Sequence, residues 1–251
     1  NTSNQNKWFT KDNLNFCISV WGETLDKKDI SEWLDAYPEP VRSTRLALVL
    51  AGNIPLVGLH DVICGLASGC NIEVKLSSND SVMLPLVVDF LISVMPDWQG
   101  KVRFTDGKLA TYDKVIATGS NNTARYFEYY FRKKPNILRK SRTSVAILEN
   151  DTDKDSLRLL AKDIFTYFGL GCRNVSKIYI PIGFDLDKIL KSLRSHESVI
   201  NNFKYQNNYN YHKTIFLLND ESNILSRFFL YLFAVFFAIF SAFCSSHSTA
   251  S

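Results

Sequence analysis

The sequence predicts an α/β fold built on a parallel sheet. Short, continuously apolar runs recur along the chain. Stretches with helical periodicity separate them, and Gly, Pro or Asn punctuates the joins. Alternation of this kind gives strand–helix–strand units.

The elements follow in order. Residues 8–37 read as helical, with Leu14, Ile18, Trp21 and Leu25, then Ile30, Trp33 and Leu34, as an apolar stripe. Pro38 and Pro40 end that region. Residues 45–51 (RLALVLA) suit a strand buried on both faces. The string GNIP at 52–55 breaks it, and a helix runs on to Ser68. A strand at 72–76, a helix at 82–94, strands at 102–104 and 114–118 and a helix at 123–131 complete a first unit. A second begins with a strand at 144–148. Its helix starts near Asp153, with Leu157, Leu160, Ala161, Ile164 and Phe168 on one face and Gly169 as its stop. A strand at 177–181 follows the loop that holds Cys172.

Composition excludes several classes. The 251 residues are 46% hydrophobic and 22% charged, ordinary for a globular protein. A net charge of +4, with no block of like charges, is too weak to argue for nucleic acid as a partner. Five cysteines (Cys17, Cys64, Cys70, Cys172, Cys244) form no CxxC pair, which argues against a disulfide framework or a metal site. A reducing, cytoplasmic setting fits such cysteines. Cys17, Cys64 and Cys70 lie in apolar patterns and are expected in the core. Residues 1–7 are polar and do not read as a signal peptide.

Four segments stand out by their order: AGNIPL at 51–56, VKLSS at 74–78, ATGS at 117–120 and FGLGC at 168–172. Together they resemble the aldehyde dehydrogenase-like superfamily. The longer strings GNIPLVGLHD, VIATGSNNTARYFEYYF and DIFTYFGLGCRNVSKIYIP are similar to its acyl-CoA reductase branch, which includes the bacterial luminescence fatty acid reductases. The match runs from about Trp8 to about Asn219. It implies an N-terminal helical region (1–41), a parallel-sheet dinucleotide-binding domain (42–139) and an incomplete α/β catalytic domain (140–223) with Cys172 at the domain interface. The family's catalytic domain continues beyond its cysteine loop, so the resemblance also implies a chain cut short. A homo-oligomer is expected of the full-length family.

Read from the residues alone, Cys172 is more readily a buried small hydrophobe, and Asn53 a turn residue. The resemblance implies more. Cys172 matches the family nucleophile, whose thiolate attacks the substrate, and Arg173 adds a positive charge beside it. Asn53 matches the side-chain N–H donor to the oxyanion; the nucleophile's own backbone N–H is the second donor. Lys75 and Ser78 match the adenosine-ribose site. NAD-preferring relatives tend to place a carboxylate where Ser78 stands, so a 2′-phosphate is better accommodated here and NADPH is the expected cofactor. The other reading of Lys75 is a side chain that reaches solvent from a strand end. Gly119 and Ser120 open a helix whose free N–H groups suit a pyrophosphate, and they also read as a tight turn with an N-cap. No GxGxxG is present, and the resembled family lacks it too. His60 and Asp61 are expected to point to different sides of a helix and to be structural.

Hydrolytic aldehyde dehydrogenases carry a water-activating Glu in an ELGG-like motif. The matching stretch at 137–144, ILRKSRTS, has no acid. That favours acyl-CoA chemistry over aldehyde oxidation to a free acid, and the reaction expected from the resemblance is reduction of a (long-chain) fatty acyl-CoA to the aldehyde through a thioacyl-cysteine. The alternatives are an acyl-phosphate or semialdehyde reductase and an inactive fragment or binding module. Residues 224–251 differ in character: seven Phe fall between Phe228 and Phe243, and no Asp, Glu, Lys or Arg follows Arg227. Residues 228–244 read as a marginal membrane anchor or as the product of a shifted reading frame.

Overall fold

The structure is a computed structural model that describes residues 6–39 and 43–218. The tail at 228–244, read above as an anchor or frame-shift product, lies outside the described residues. Among the described residues no helix is long and apolar enough to cross a membrane. The chain divides into two compact units, Asn1–Ser141 and Arg142–Ser251.

In the first unit two helices, α1 (Lys11–Thr24) and α2 (Lys27–Leu34), precede β1 (Arg45–Val49). Then come α3 (Leu59–Ala67), β2 (Asn71–Lys75), α4 (Met83–Val94), β3 (Val102–Thr105), β4 (Lys114–Thr118), α5 (Asn121–Phe131) and β5 (Asn136–Arg139). The five strands form one sheet in the order β3-β2-β1-β4-β5, and every pair is parallel. This is the α/β parallel sheet that the apolar runs predict. β1 is central, and Ala47 and Leu48 at its middle are fully buried, on opposite faces. Ala47, Val115 and Ala117 pack with Phe127 and Phe131 of α5 on one face. On the other face α3 lies so close that a Cβ on Gly65 would meet Ile72 at 2.8 Å.

The second unit holds β6 (Ser144–Ile147), α6 (Lys154–Phe165), β7 (Val175–Tyr179), α7 (Leu186–Arg194) and α8 (Phe203–Leu218). β6 and β7 pair in parallel. Leu157, Leu160, Ala161 and Ile164 form the buried face of α6, and Asp153 caps it by accepting from the Ser156 N–H.

Several expectations are corrected. The N-terminal helix is two helices: Asp26 accepts from the Lys28 and Asp29 N–H groups and starts the second. Cys17, not Ile18, takes the buried position of the first, and Ile18 is exposed. A helix face has room for one of two neighbours, and the smaller Cys17 fits against the Pro55 carbonyl, to which its thiol donates at 3.3 Å. Cys70 is buried as expected, but Cys64 is only half-buried. Phe168 does not belong to α6, which ends at Phe165; Tyr167 and Phe168 take left-handed backbone angles instead. β5, α7 and α8 are additional elements.

Candidate active site

The parallel register brings most of the expected site residues of the first unit to one edge. Val49 pairs with Lys75 on one side and with Ala117 on the other. The segments after β1, β2 and β4 therefore leave the sheet at the same, carboxyl, end. These segments carry Asn53, Ser78, and Gly119 with Ser120. From β1 the chain moves outward through β2 and β3, then returns to the far side of β1 as β4. The crevice at such a reversal is where open α/β sheets bind ligands.

Each segment is held locally. Gly52 sits where a Cβ would meet the Ser77 side chain at 2.5 Å, so only glycine lets the β1 loop lie against the β2 loop. Half-buried Asn53 follows it in the turn. The turn ends at Leu56, whose φ of 55° is unusual for a residue with a side chain and costs about 1–2 kcal/mol. The Leu56 N–H donates to Oδ2 of Asp80, a carboxylate 5% exposed, at 3.1 Å. Burial pushes the Asp80 carboxyl above the usual carboxylate range, and the Leu56, Met83 and Leu84 N–H groups pull it partly back.

Lys75 ends β2, and its Nζ donates to the Gly107 carbonyl at 3.1 Å. Among the described residues no carboxylate pairs with it, so its further donors can serve an anion. Ser78 is exposed just beyond. Ser120 caps α5, its Oγ accepting from the Thr123 N–H at 3.2 Å, while the Gly119 N–H donates to the Arg139 carbonyl at 3.1 Å. The dipole of an eleven-residue helix has its positive end here. A cation, a hydroxyl and a helix N-terminus along one sheet edge fit a phosphate-rich ligand.

Asp61 and His60 behave differently from expectation. They meet, with His60 Nδ1 3.4 Å from Asp61 Oδ1. Asp61 is buried and receives Nη1 of Arg139 at 2.6 and 2.7 Å on its two oxygens. The stretch without an acid thus carries a guanidinium anchored on the first turn of α3. Cys64, one turn further, has Sγ 3.6 Å from His60 Nε2, and burial raises its thiol pKa.

Cys172 belongs to the second unit, where it is exposed in the loop before β7. Asn174 braces that loop. Its Oδ1 accepts from the Gly171 N–H at 2.8 Å, and its Nδ2 donates to the Asp163 and Thr166 carbonyls at 2.6 and 3.0 Å. The Cys172 carbonyl accepts from the Ser144 hydroxyl at 3.2 Å. Ahead of it Tyr167, Phe168 and Gly169 are all left-handed, with φ of 53°, 58° and 73°. Two aromatic residues in that region are strained, and such strain concentrates at functional sites.

Sequence reasoning misses Asp80, Asn174 and Arg139. Asn174 left one signal, an Asn two residues past a cysteine in a glycine-flanked loop. The other two have partners 24 and 78 residues away, which no local pattern reveals.

Solved structures similar to the chain are aldehyde dehydrogenases and a related enzyme. A mutant of aldehyde dehydrogenase C from Pseudomonas syringae, complexed with NAD+ and octanal, matches with a TM-score of 0.51 at 20% identity over 62% of this chain and 34% of its own. An NADP-dependent enzyme from E. coli matches at 0.53 and 20% identity, over 64% of this chain and 35% of its own. An aldehyde dehydrogenase from Brucella melitensis biovar abortus 2308 matches at 0.51 and 21% identity, over 63% and 35%. At these identities the likeness establishes the aldehyde dehydrogenase-like fold, and the chain spans about a third of the length of these structures. No curated protein sequence matches it. The model of one protein family, described as acyl-CoA reductase (LuxC), matches residues 25–189, which include the Asn53, Lys75, Gly119 and Cys172 segments. The chain belongs to the acyl-CoA reductase (LuxC) family.

Proposed function

We propose that the protein takes part in NADPH-dependent reduction of a long-chain fatty acyl-CoA to the aldehyde, with Cys172 as nucleophile. The observation that carries this reading is an exposed cysteine in a braced loop behind a strained turn, in a chain of this family. Residues 42–139 are the dinucleotide-binding part and 140–223 part of the catalytic domain.

The Cys172 thiolate attacks the thioester carbonyl, the C–S bond to CoA breaks, and CoA leaves as a thiol after taking a proton. The acyl group is then a thioester of Cys172. Bound NADPH supplies the hydride that brings the acyl carbon to the aldehyde level. Asn53 donates its side-chain N–H to the substrate oxygen as negative charge gathers there, an interaction worth about 3 kcal/mol per donor. Release of the aldehyde returns Cys172 as the thiolate. Lys75 and Ser78 receive the 2′-phosphate, and the α5 end at Gly119 and Ser120 receives the pyrophosphate. The acid-free stretch at 137–144 leaves a thiol, not water, as the partner for acyl exchange.

The test is acyl transfer itself. The 251-residue chain is incubated with fatty acyl-CoA labelled in the acyl group, and the label is mapped by peptide mass spectrometry. Label on Cys172, lost in Cys172→Ala, is expected; label persisting in Cys172→Ala overturns the assignment. Faster labelling by an acyl phosphate than by acyl-CoA would favour an acyl-phosphate reductase instead.

A further inference from the structure

Asp80 has no part in the reading above, yet it is the most deeply buried carboxylate beside the candidate nucleotide edge apart from Asp61. It is 5% exposed, and among the described residues no cation pairs with it. Its Oδ2 takes the Leu56 N–H at 3.1 Å, whereas its Oδ1 is buried and has no hydrogen-bond partner among the described residues. The Met83 and Leu84 N–H groups at the start of α4 offset part of the cost, but a carboxylate kept out of water with one oxygen outside hydrogen-bond geometry remains costly, so its retention needs a reason.

Two loops meet at this carboxylate. The first is the β1 turn, with Gly52, Asn53 and left-handed Leu56. The second is the β2 loop, with Ser77 and Ser78. Asp80 lies in the second loop, where its N–H donates to the Ser77 carbonyl at 3.1 Å, and its side chain crosses to the first. Gly52 permits contact between the two loops, since any Cβ there would strike Ser77. The β2 loop is in turn held from the N-terminus by the Asn6 side chain, which donates to the Asn79 carbonyl at 3.1 Å. The Leu56 conformation is one the chain avoids unless something over-determines it, and the Asp80 bond does so.

We infer that Asp80 is a positioning residue that fixes the Asn53 turn against the Ser77–Ser78 loop, so that the oxyanion donor and the ribose-side hydroxyl keep one register. The inference rests on the proposed roles of Asn53 and Ser78. Loss of the bond releases the Leu56 N–H and lets the turn relax. The N–H of Asn53 then drifts from its aim, and misplacement on the order of 1 Å costs about a hundredfold in rate.

The experiment compares Asp80→Ala, Asp80→Asn, Asn53→Ala and the Asp80→Ala/Asn53→Ala double variant in the 251-residue chain. It reads kcat and KM with fatty acyl-CoA, NADPH binding by nucleotide fluorescence, and amide exchange at Asn53–Leu56. Asp80→Ala should lower kcat about tenfold to a hundredfold with the acyl-CoA KM within about twofold. It should also weaken NADPH several-fold and speed exchange of the Leu56 amide. Asp80→Asn keeps an acceptor and should restore most of each loss. The double variant should be no slower than Asn53→Ala within about threefold, because both act through one group. Should Asp80→Ala not fold, Asp80→Ser, which leaves a smaller hole and still falls short of Leu56, carries the same expectations. Parental kcat and NADPH affinity in folded Asp80→Ala, or losses that multiply with those of Asn53→Ala, overturn the inference. Parental kcat in Asn53→Ala overturns instead the oxyanion role assigned to Asn53, and the Leu56 exchange and NADPH affinity then still decide whether Asp80 holds the loops.

Discussion

Arg139 grips both oxygens of Asp61 with one guanidinium nitrogen, at 2.6 and 2.7 Å, and so ties the end of β5 to the first turn of α3. The two ends differ in setting: the Asp61 side chain is 4% exposed and that of Arg139 37%. The carboxylate therefore depends on its partner more than the guanidinium does. Replacing Arg139 by Met keeps an apolar stem but leaves the buried Asp61 carboxylate with only the His60 ring, 3.4 Å away, beside it. Urea unfolding of Arg139→Met should show a loss of about 3 kcal/mol, the low end for a broken buried pair because water reaches the arginine side. The Asp61→Asn/Arg139→Met double variant should recover most of it. A double variant as unstable as the single one would mean that the pair does not carry the loss.

Cofactor choice is testable at two positions. Lys75 holds only a neutral carbonyl among the described residues, so its charge is available to a phosphate. Lys75→Ala should raise the NADPH dissociation constant about tenfold to a hundredfold, the scale of one charged hydrogen bond, and that of NADH far less. Ser78→Glu should turn the preference toward NADH by placing like charge at the 2′-position. Equal losses for both nucleotides in Lys75→Ala would remove Lys75 from phosphate recognition.

Asp80 also predicts a pH dependence. Its folded carboxyl titrates above the ordinary value of 3.8 because burial penalises the charged form. The native state then binds this proton more tightly than the unfolded chain does. The resulting contribution is fully present below 3.8 and is lost as pH rises through the folded value. Relative to Asp80→Asn, which cannot ionise, the parent should lose stability in urea titrations as pH rises above 3.8 and through the raised folded value. Parallel stability curves for the two proteins would show that the carboxyl is not displaced in the folded state.

How much of this was legible in the sequence depends on the range of the interaction. β1 is an apolar run buried on both faces, written locally in RLALV, whereas β2 and β4 bury alternate residues, Ile72 and Val74 in NIEVK and Val115 and Ala117 in KVIAT. β5 escapes because NILR is a short edge strand with Ile137 54% exposed, so its composition carries little signal. Phe168 fits the α6 period by spacing, but the chain has already turned left-handed at Tyr167, and periodicity does not report backbone sign. The site divides in the same way. The roles proposed for Cys172, Asn53, Lys75, Ser78, Gly119 and Ser120 rest on motif resemblance. Asp80 and Arg139 were missed because each acts on a group far away along the chain.

Asn174 supplies the last prediction. Its side chain makes three bonds to backbone groups: it accepts from Gly171 and donates to Asp163 and Thr166. Two of these tie the Cys172 loop to the C-terminal end of α6 and to the residue that opens the strained turn. The turn has its own anchor, since the Phe168 ring lies 6.1 Å from that of Tyr205 in α8. Asn174→Ala would leave the Gly171 N–H and two carbonyls to find water, and should cost about 1–3 kcal/mol of stability. Asn174→Asp keeps the acceptor for Gly171 but sets a carboxylate against two carbonyl oxygens, so it should be no better. If the brace aims Cys172 as well as stabilising the loop, labelling of Cys172 by acyl-CoA should slow at least tenfold in Asn174→Ala, while its reaction with a small alkylating agent changes by less than about threefold. Equal slowing of both reactions would mean that the variant hides or unfolds the cysteine. Unchanged acylation would confine Asn174 to holding the loop together.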